Sequence, residues 1–382
     1  MRFAVFALLC LLGADAAAEA AVPFRVGFYR PGPVDGITDV PGVAVANVTK
    51  VEGASIRTGA TAILPNADPW NHKVSAYALS FNGNGEMTGT HWVNESGYLE
   101  EPIVLTDTLD VGRADDGVIS WMIKQHPQVG VRDDVPLPVV AECDDQLLND
   151  IQARAIGAQD VVDLLDSAKT GQFARGSVGA GTGMKAFGFK AGIGSASRVL
   201  PADLGGYTVG VLVNDNTGST RDQLTIAGVR VGEALRNEYK MVFPKRVTLH
   251  GRMASGSIII VVATNAPLDS RQLRAIALRA GMGMSRTGLT SDIGSGDLFI
   301  AFSTGYTFAR SGDFEVKAPA EPIIEDNGIL NALYRATAEA TEYAIYDALF
   351  SAKTMTGKGG VTVYGLPTDR VLGMLKAAGA VK

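Results

Sequence analysis

Gly256-Ser257-Ile258-Ile259-Ile260-Val261-Val262-Ala263-Thr264 sets a serine between a glycine and a run of apolar, mostly β-branched residues. Branching at Cβ stiffens side chains and favours extended backbone, so the run predicts a core strand that begins at Ser257. The residues before it, Gly251-Arg252-Met253-Ala254-Ser255-Gly256, are small and flexible, so the sharpest boundary in the chain falls at Ser257. Two readings follow from these residues alone. Ser257 either starts a strand after a loop, or becomes an N-terminus by chain cleavage and uses its own α-amine as a base. The second is chemically sound because a free α-amine has a pKa of about 7.7–8.0 and is partly neutral at physiological pH. Gly256, lacking Cβ, permits the strained peptide geometry that an N-to-O acyl shift requires.

Downstream of this strand, Ser270 to Ala280 predicts a helix, Gly294-Ser295-Gly296-Asp297 a turn feeding another strand, and Asp326 to Ser351 a long amphipathic helix. Upstream, strands are expected at 43–48, 61–64, 74–81 and 137–142, the last ending on Glu142, with a helix at 115–125. Leu147 to Leu165 has helical periodicity interrupted by Gly157, and the glycine-rich 176–194 segment reads as two strands and their turn. Tyr207 to Val213 is a further strand, ending in the polar cluster Asn214-Asp215-Asn216-Thr217-Gly218. Strands and helices grouped without regular β-α-β alternation favour α+β layers over a Rossmann arrangement.

The 382 residues carry 34 Lys+Arg against 40 Asp+Glu, with neither sign gathered into a block, which argues against a nucleic-acid partner. Arg2, the apolar stretch Phe3 to Leu12, and the small-x-small sites Ala14-Asp15-Ala16 and Ala18-Glu19-Ala20 read as a secretory leader over residues 1–20. A periplasmic or secreted protein starting near Ala21 is therefore expected, and no later apolar window is long enough to span a membrane. That leaves one cysteine, Cys143, whose acidic neighbours Glu142, Asp144 and Asp145 disfavour a reactive thiolate. The four histidines lack zinc-binding spacing, so no metal is expected. Gly179-Ala180-Gly181-Thr182-Gly183 lacks the Gly-Lys-Ser/Thr ending of a phosphate loop, and no Gly-x-Ser-x-Gly elbow accompanies a histidine.

The residues also carry a family resemblance. Gly256 to Leu268 resembles the self-processing site of the L-aminopeptidase D-esterase / β-peptidyl aminopeptidase family. Ile37 to Val43 with Arg57 to Pro65, Gly85 to Thr90 with Glu95-Ser96-Gly97, Glu101 to Thr106, Gly176 to Gly183, and Met355-Thr356-Gly357 with the strand around Val361 resemble further blocks of that family, in its order. The resemblance implies an αββα four-layer sandwich, similar to N-terminal-nucleophile hydrolases, made as one precursor. Autocleavage between Gly256 and Ser257 would give chains 21–256 and 257–382 that remain one domain. It implies Ser257 as nucleophile, Ser295 and Asp297 as the pair beside it, and Asn216 as the oxyanion donor, with Asn214 the other candidate. Glu142 would pair with the free amino group of a short peptide, amide or ester substrate. No cofactor is implied, and a homo-oligomer of α/β heterodimers is expected. Where family members commonly have an aromatic residue, this chain has Asp144, an extra carboxylate that would favour cationic substrates. That departure motivates an alternative: a catalytically weakened or inactive periplasmic module that binds amino compounds.

Overall fold

The computed structural model describes residues 22–218, 220–244, 256–311, 316–317, 319 and 323–382. The expected leader over 1–20, the basic link Lys245 to His250 and the stretch 251–255 lie outside them. In chain order the elements are a hairpin of β1 (Ala44–Glu52) and β2 (Ile56–Leu64), then β3 (His72–Gly83), α1 (Thr90–Ser96), β4 (Tyr98–Leu99), β5 (Ile103–Thr106), α2 (Val111–Gln125), β6 (Val139–Glu142) and α3 (Ala158–Asp166). A short hairpin, β7 (Lys185–Ala186) and β8 (Phe189–Lys190), precedes β9 (Ile193–Val199), β10 (Thr208–Asn216), α4 (Val231–Ala234), β11 (Ser257–Thr264), α5 (Ser270–Arg286) and β12 (Gly296–Arg310). The rest comprises β13 (Val316–Lys317), α6 (Asn327–Ser351), β14 (Met355–Thr356), β15 (Thr362–Val363) and α7 (Thr368–Ala377).

Two sheets stack face to face. One has the order β1-β2-β5-β6; the other runs β4-β3-β12-β11-β10-β9, with β13 paired to β12. Ile63, Ile103, Leu105 and Ala141 of the first meet Leu212, Ile259, Val261 and Ile300 of the second in the core between them. On the outer face of the first sheet, Val118, Met122, Val161 and Leu165 of α2 and α3 cover Ala62, Val104 and Val140. On the outer face of the second, Leu273, Ile276, Ala336 and Ala340 of α5 and α6 cover Val211, Ile258, Ile260 and Val262. The architecture is thus the expected α+β, αββα four-layer sandwich. β11 explains its own composition: all eight residues are buried, alternate ones facing helices and the opposite sheet, so no polar position interrupts it.

Several segments differ from the sequence reading. Residues 147–156 form no α-helix, only the 3-10 turn Ile151–Ala153, and α3 starts after Gly157. Local polar bonds explain this: Asn149 Oδ1 accepts from Arg57 N at 3.0 Å, and Asp150 N donates to Ser55 O at 2.8 Å, tying the segment to the β1–β2 hairpin. The glycine-rich segment holds a 3-10 turn at Gly179–Gly181 and the small β7–β8 hairpin before its one long strand. β10 runs on through Asn216, because pairing with β9 on one side and β11 on the other carries the polar cluster into the sheet. α6 is buried on nearly every side, since residues 22–29 cross its outer face; Glu339 Oε2 accepts from Phe28 N and Tyr29 N, and Tyr343 Oη donates to Val22 O.

Candidate active site

Strand direction gathers the polar residues. β11 and β12 are parallel, joined through α5, so their first residues lie at the same end of the sheet; β10 is antiparallel to β11 and brings its last residues there. In register, Ser257 stands between Asn216 and Gly296, while Asp215 and Asp297 flank Ile258. Side chains alternate along strands, so Ser257 and Asn216 face the core between the sheets and Asp215 and Asp297 face the helix side.

Ser257 is buried, and its Oγ accepts from Gly296 N at 3.3 Å. Gly256 has φ +104°, and a Cβ there would lie 2.4 Å from Asn216 O, so the residue before the serine has to be glycine on both grounds. Ser295 Oγ donates to Asp297 Oδ1 at 2.6 Å, and burial raises the Asp297 carboxyl above its ordinary pKa. Asn216 is held at both ends of its amide: Oδ1 accepts from Lys185 N at 3.1 Å and Nδ2 donates to Asp144 O at 2.9 Å. Nδ2 carries two hydrogens, so a second remains to donate.

Glu142 comes from the other sheet, at the end of β6. Its Oε1 accepts from Glu86 N at 3.1 Å and Oε2 accepts a short bond from Thr108 Oγ1. Burial raises its pKa, opposed by those two donors. A Cβ at Gly85 would lie 3.2 Å from Glu142 Oε1 and 3.3 Å from Gly296 Cα, so the carboxylate stands just across Gly85 from the strand that flanks Ser257. Asp144 meets this cluster through its carbonyl; its carboxylate accepts from Gln146 N at 2.8 Å and Gln146 Nε2 at 2.6 Å. The structure therefore gathers Ser257, Asn216, Ser295, Asp297 and Glu142 at one end of the sandwich, with Asp297 on the helix side of its sheet, and turns the Asp144 carboxylate onto its own loop. Cys143 is fully buried, and burial first, then Glu142, Asp215 and Asp297, push its thiol well above the ordinary value. Among the described residues, no group of three or more His, Cys, Asp or Glu is arranged to hold a metal ion, and no helix is long and apolar enough to cross a membrane.

Four further residues belong to this region. Glu86 and Thr108 orient Glu142, while Lys185 and Asp215 are buried beside Asn216. The available signal for the last two was an ionisable residue inside an otherwise glycine-rich or apolar stretch. Asp215 Oδ1 accepts from Thr217 Oγ1 at 2.6 Å, Oδ2 has no hydrogen-bond partner among the described residues, and burial pushes the carboxyl up to about 7, with Lys185 opposing and Asp297 adding. Between about pH 4 and pH 7 the folded chain keeps a proton here that the unfolded chain has lost, so stability falls as pH rises through that window. Asp215→Asn should remove this dependence. Thermal unfolding at pH 5 and pH 8 checks it: the variant should gain about 2 kcal/mol on wild type between the two, and an unchanged gap would contradict it.

A stacked pair of sheets between helix layers, with polar residues converging at the head of a central strand, is the architecture of the Ntn-hydrolase class. Among solved structures it matches the L-aminopeptidase D-Ala-esterase/amidase from Ochrobactrum anthropi, described as a variant of the Ntn hydrolase fold, with TM-score 0.83 and 35% identity over 94% of this chain and 98% of that one. A Burkholderia sp. beta-aminopeptidase matches with TM-score 0.83 and 39% identity, covering 93% of this chain and 97% of that one. The chain belongs to peptidase family S58, whose model matches residues 35–363, and it is an aminopeptidase of that family. It is 38% identical over 384 residues to the beta-peptidyl aminopeptidase BapA of Sphingosinicella xenopeptidilytica, covering 96% of this chain and 92% of that protein.

Proposed function

We propose that the chain is an exported, self-processing serine aminopeptidase that releases an N-terminal β-, D- or L-amino acid from short peptides, amides or esters. The observation that carries this reading is the convergence at one sheet end of a glycine-serine bond, an amide donor and a buried carboxylate.

In the precursor, Ser257 Oγ attacks the Gly256 carbonyl carbon, the C–N bond breaks as the nitrogen takes a proton, and water hydrolyses the resulting ester. The products are a Gly256 carboxylate and a Ser257 α-amine. Toward substrate, that amine accepts the Oγ proton as Oγ attacks the scissile carbonyl, and the second Nδ2 hydrogen of Asn216 meets the oxyanion. The tetrahedral intermediate collapses, the leaving amine or alcohol takes the proton, and water then attacks the acyl-enzyme by the same route. Ser295 and Asp297, bonded to each other beside Gly296, orient Oγ and hold the ammonium form of the α-amine. The cycle needs only protein groups and water.

Glu142 makes the enzyme an aminopeptidase. Buried and already hydrogen-bonded twice, it favours a cationic terminus and rejects a blocked one, because an amide would leave the carboxylate unpaired. The comparison proteins named for beta-peptidyl and L-aminopeptidase D-Ala-esterase/amidase activity support the breadth of amino acids proposed. The leader over 1–20 supports periplasmic or secreted placement, and we assign the mature protein to a homo-oligomer of α/β pairs.

The test compares an amino-acid amide with its N-acetylated form. Wild type should hydrolyse only the free amine, and Glu142→Gln should lower kcat/KM for it about 10²-fold, mainly through KM. Because burial raises the Glu142 pKa, KM in wild type should climb as pH falls through a value above the usual carboxylate range. Equal hydrolysis of free and acetylated amides would overturn the reading.

A further inference from the structure

A cavity of about 250 Å³ opens beside Glu142, bordered by Gly85 and Glu86. This is somewhat smaller than pockets that enclose drug-sized ligands, roughly 300–1,000 Å³, and suits a single side chain instead of a peptide. Ala78, Leu79, Met87 and Leu298 form its apolar part, with Ser80, Thr90 and Asn94 around them. Asn94 is held in place by the Ala78 backbone, its Nδ2 donating to Ala78 O and its Oδ1 accepting from Ala78 N, both at 2.9 Å.

We propose that this cavity takes the side chain of the substrate's N-terminal residue and selects aliphatic side chains of leucine size over alanine. The inference rests on the aminopeptidase reading above. In an α-amino substrate, or a β-amino substrate substituted beside its amine, the side chain leaves the same carbon as the amine. Wherever Glu142 holds the ammonium, the side chain therefore lies within a bond or two of it. Gly85 touches all three places at once: it lines the cavity, and a Cβ on it would contact Glu142 Oε1, Gly296 Cα and, at 3.5 Å, Leu298 Cδ1. Gly296 is the strand partner of Ser257, and Leu298 lies two residues further along the same strand on the same face. Nucleophile strand, carboxylate and cavity thus meet around Gly85, as carbonyl, amine and side chain meet around the backbone carbon of the substrate. Met87, unbranched and adaptable, lets the cavity fit several aliphatic shapes.

Ser80 offers the cleanest probe, because it is exposed and stands directly across from Leu298 in register. Ser80→Phe should cover Leu298 and fill the cavity without disturbing the core. Leu298→Ala, as a second variant, should enlarge it. The measurements are kcat/KM for alanine and leucine p-nitroanilides on the mature protein, and calorimetric binding of alaninamide and leucinamide, which needs no chemistry on a slow time scale once product is corrected for. Wild type should prefer leucine in both. Ser80→Phe should lose tenfold or more on leucine with alanine held within about twofold, and Leu298→Ala should gain phenylalanine p-nitroanilide relative to leucine. Equal losses on alanine and leucine, or no change on either, would overturn the proposal. If wild type turns over neither these substrates nor their β-amino counterparts, the proposed reaction fails by itself, and the leucinamide to alaninamide binding ratio in wild type and Ser80→Phe still decides the cavity's role.

Discussion

Ser257→Ala is expected to leave a single uncut chain and to lower kcat/KM toward an amino-acid amide by on the order of 10⁵-fold or more. The residue does three things in the proposed account. Its Oγ opens the Gly256 carbonyl, its Oγ later carries the acyl group, and its nitrogen, once free, is the base. Alanine removes the first two directly and prevents the third, because the amine never forms. The fold should survive, since Ser257 sits at the first position of β11 and, among the described residues, its Oγ makes one long hydrogen bond, to Gly296 N at 3.3 Å. A thermal melt within a few degrees of wild type, together with lost hydrolysis and an uncut chain, separates this from misfolding. Retained hydrolysis would remove the serine from the chemistry.

Asn216→Ala is expected to lower kcat by about 10²–10³-fold with KM little changed, the signature of a donor that matters only when the oxyanion forms. It should slow self-cleavage as well, because the same donor faces the tetrahedral species formed from Gly256. Part of the effect will be structural, since the amide also fixes Asp144 O and Lys185 N. The split between kcat and KM, measured on protein that has completed cleavage, distinguishes the two: loss of packing alone would raise KM and lower the melting temperature without a selective drop in kcat.

Much of this site was legible before any coordinates, because its residues advertise themselves locally. A glycine-serine pair heading an uninterrupted β-branched run, an Asn-containing cluster after a strand, and an acid at a strand end each carry a short-range signal. What the residues could not tell was which faces meet. Asp297 and Ser257 are brought to one place by a parallel pairing across α5, and Glu142 reaches them from a different sheet across Gly85; both depend on contacts between residues far apart in the chain. The 147–156 segment departs from its sequence pattern for the opposite reason. Its apolar spacing is helical, but Asn149 and Asp150 spend their polar groups on the β1–β2 hairpin, and such tertiary bonds outweigh a weak local preference. α6 reads as one-sided in the sequence because the irregular 22–29 segment that covers its other face lies some 300 residues earlier. Lys185 and Asp215 carry no local mark of burial; only the packing of β7 and β10 against the site supplies it.

The central claim is that one peptide bond, Gly256–Ser257, is cut by the chain itself to make the nucleophile. Intact mass and N-terminal sequencing of purified wild type test it most directly. From the 40.0 kDa precursor, loss of residues 1–20 and cleavage at this bond predict fragments of roughly 25 and roughly 13 kDa, the smaller beginning Ser-Ile-Ile-Ile. A purified, natively folded wild type that stays whole, or one cut at any other bond, would contradict the account.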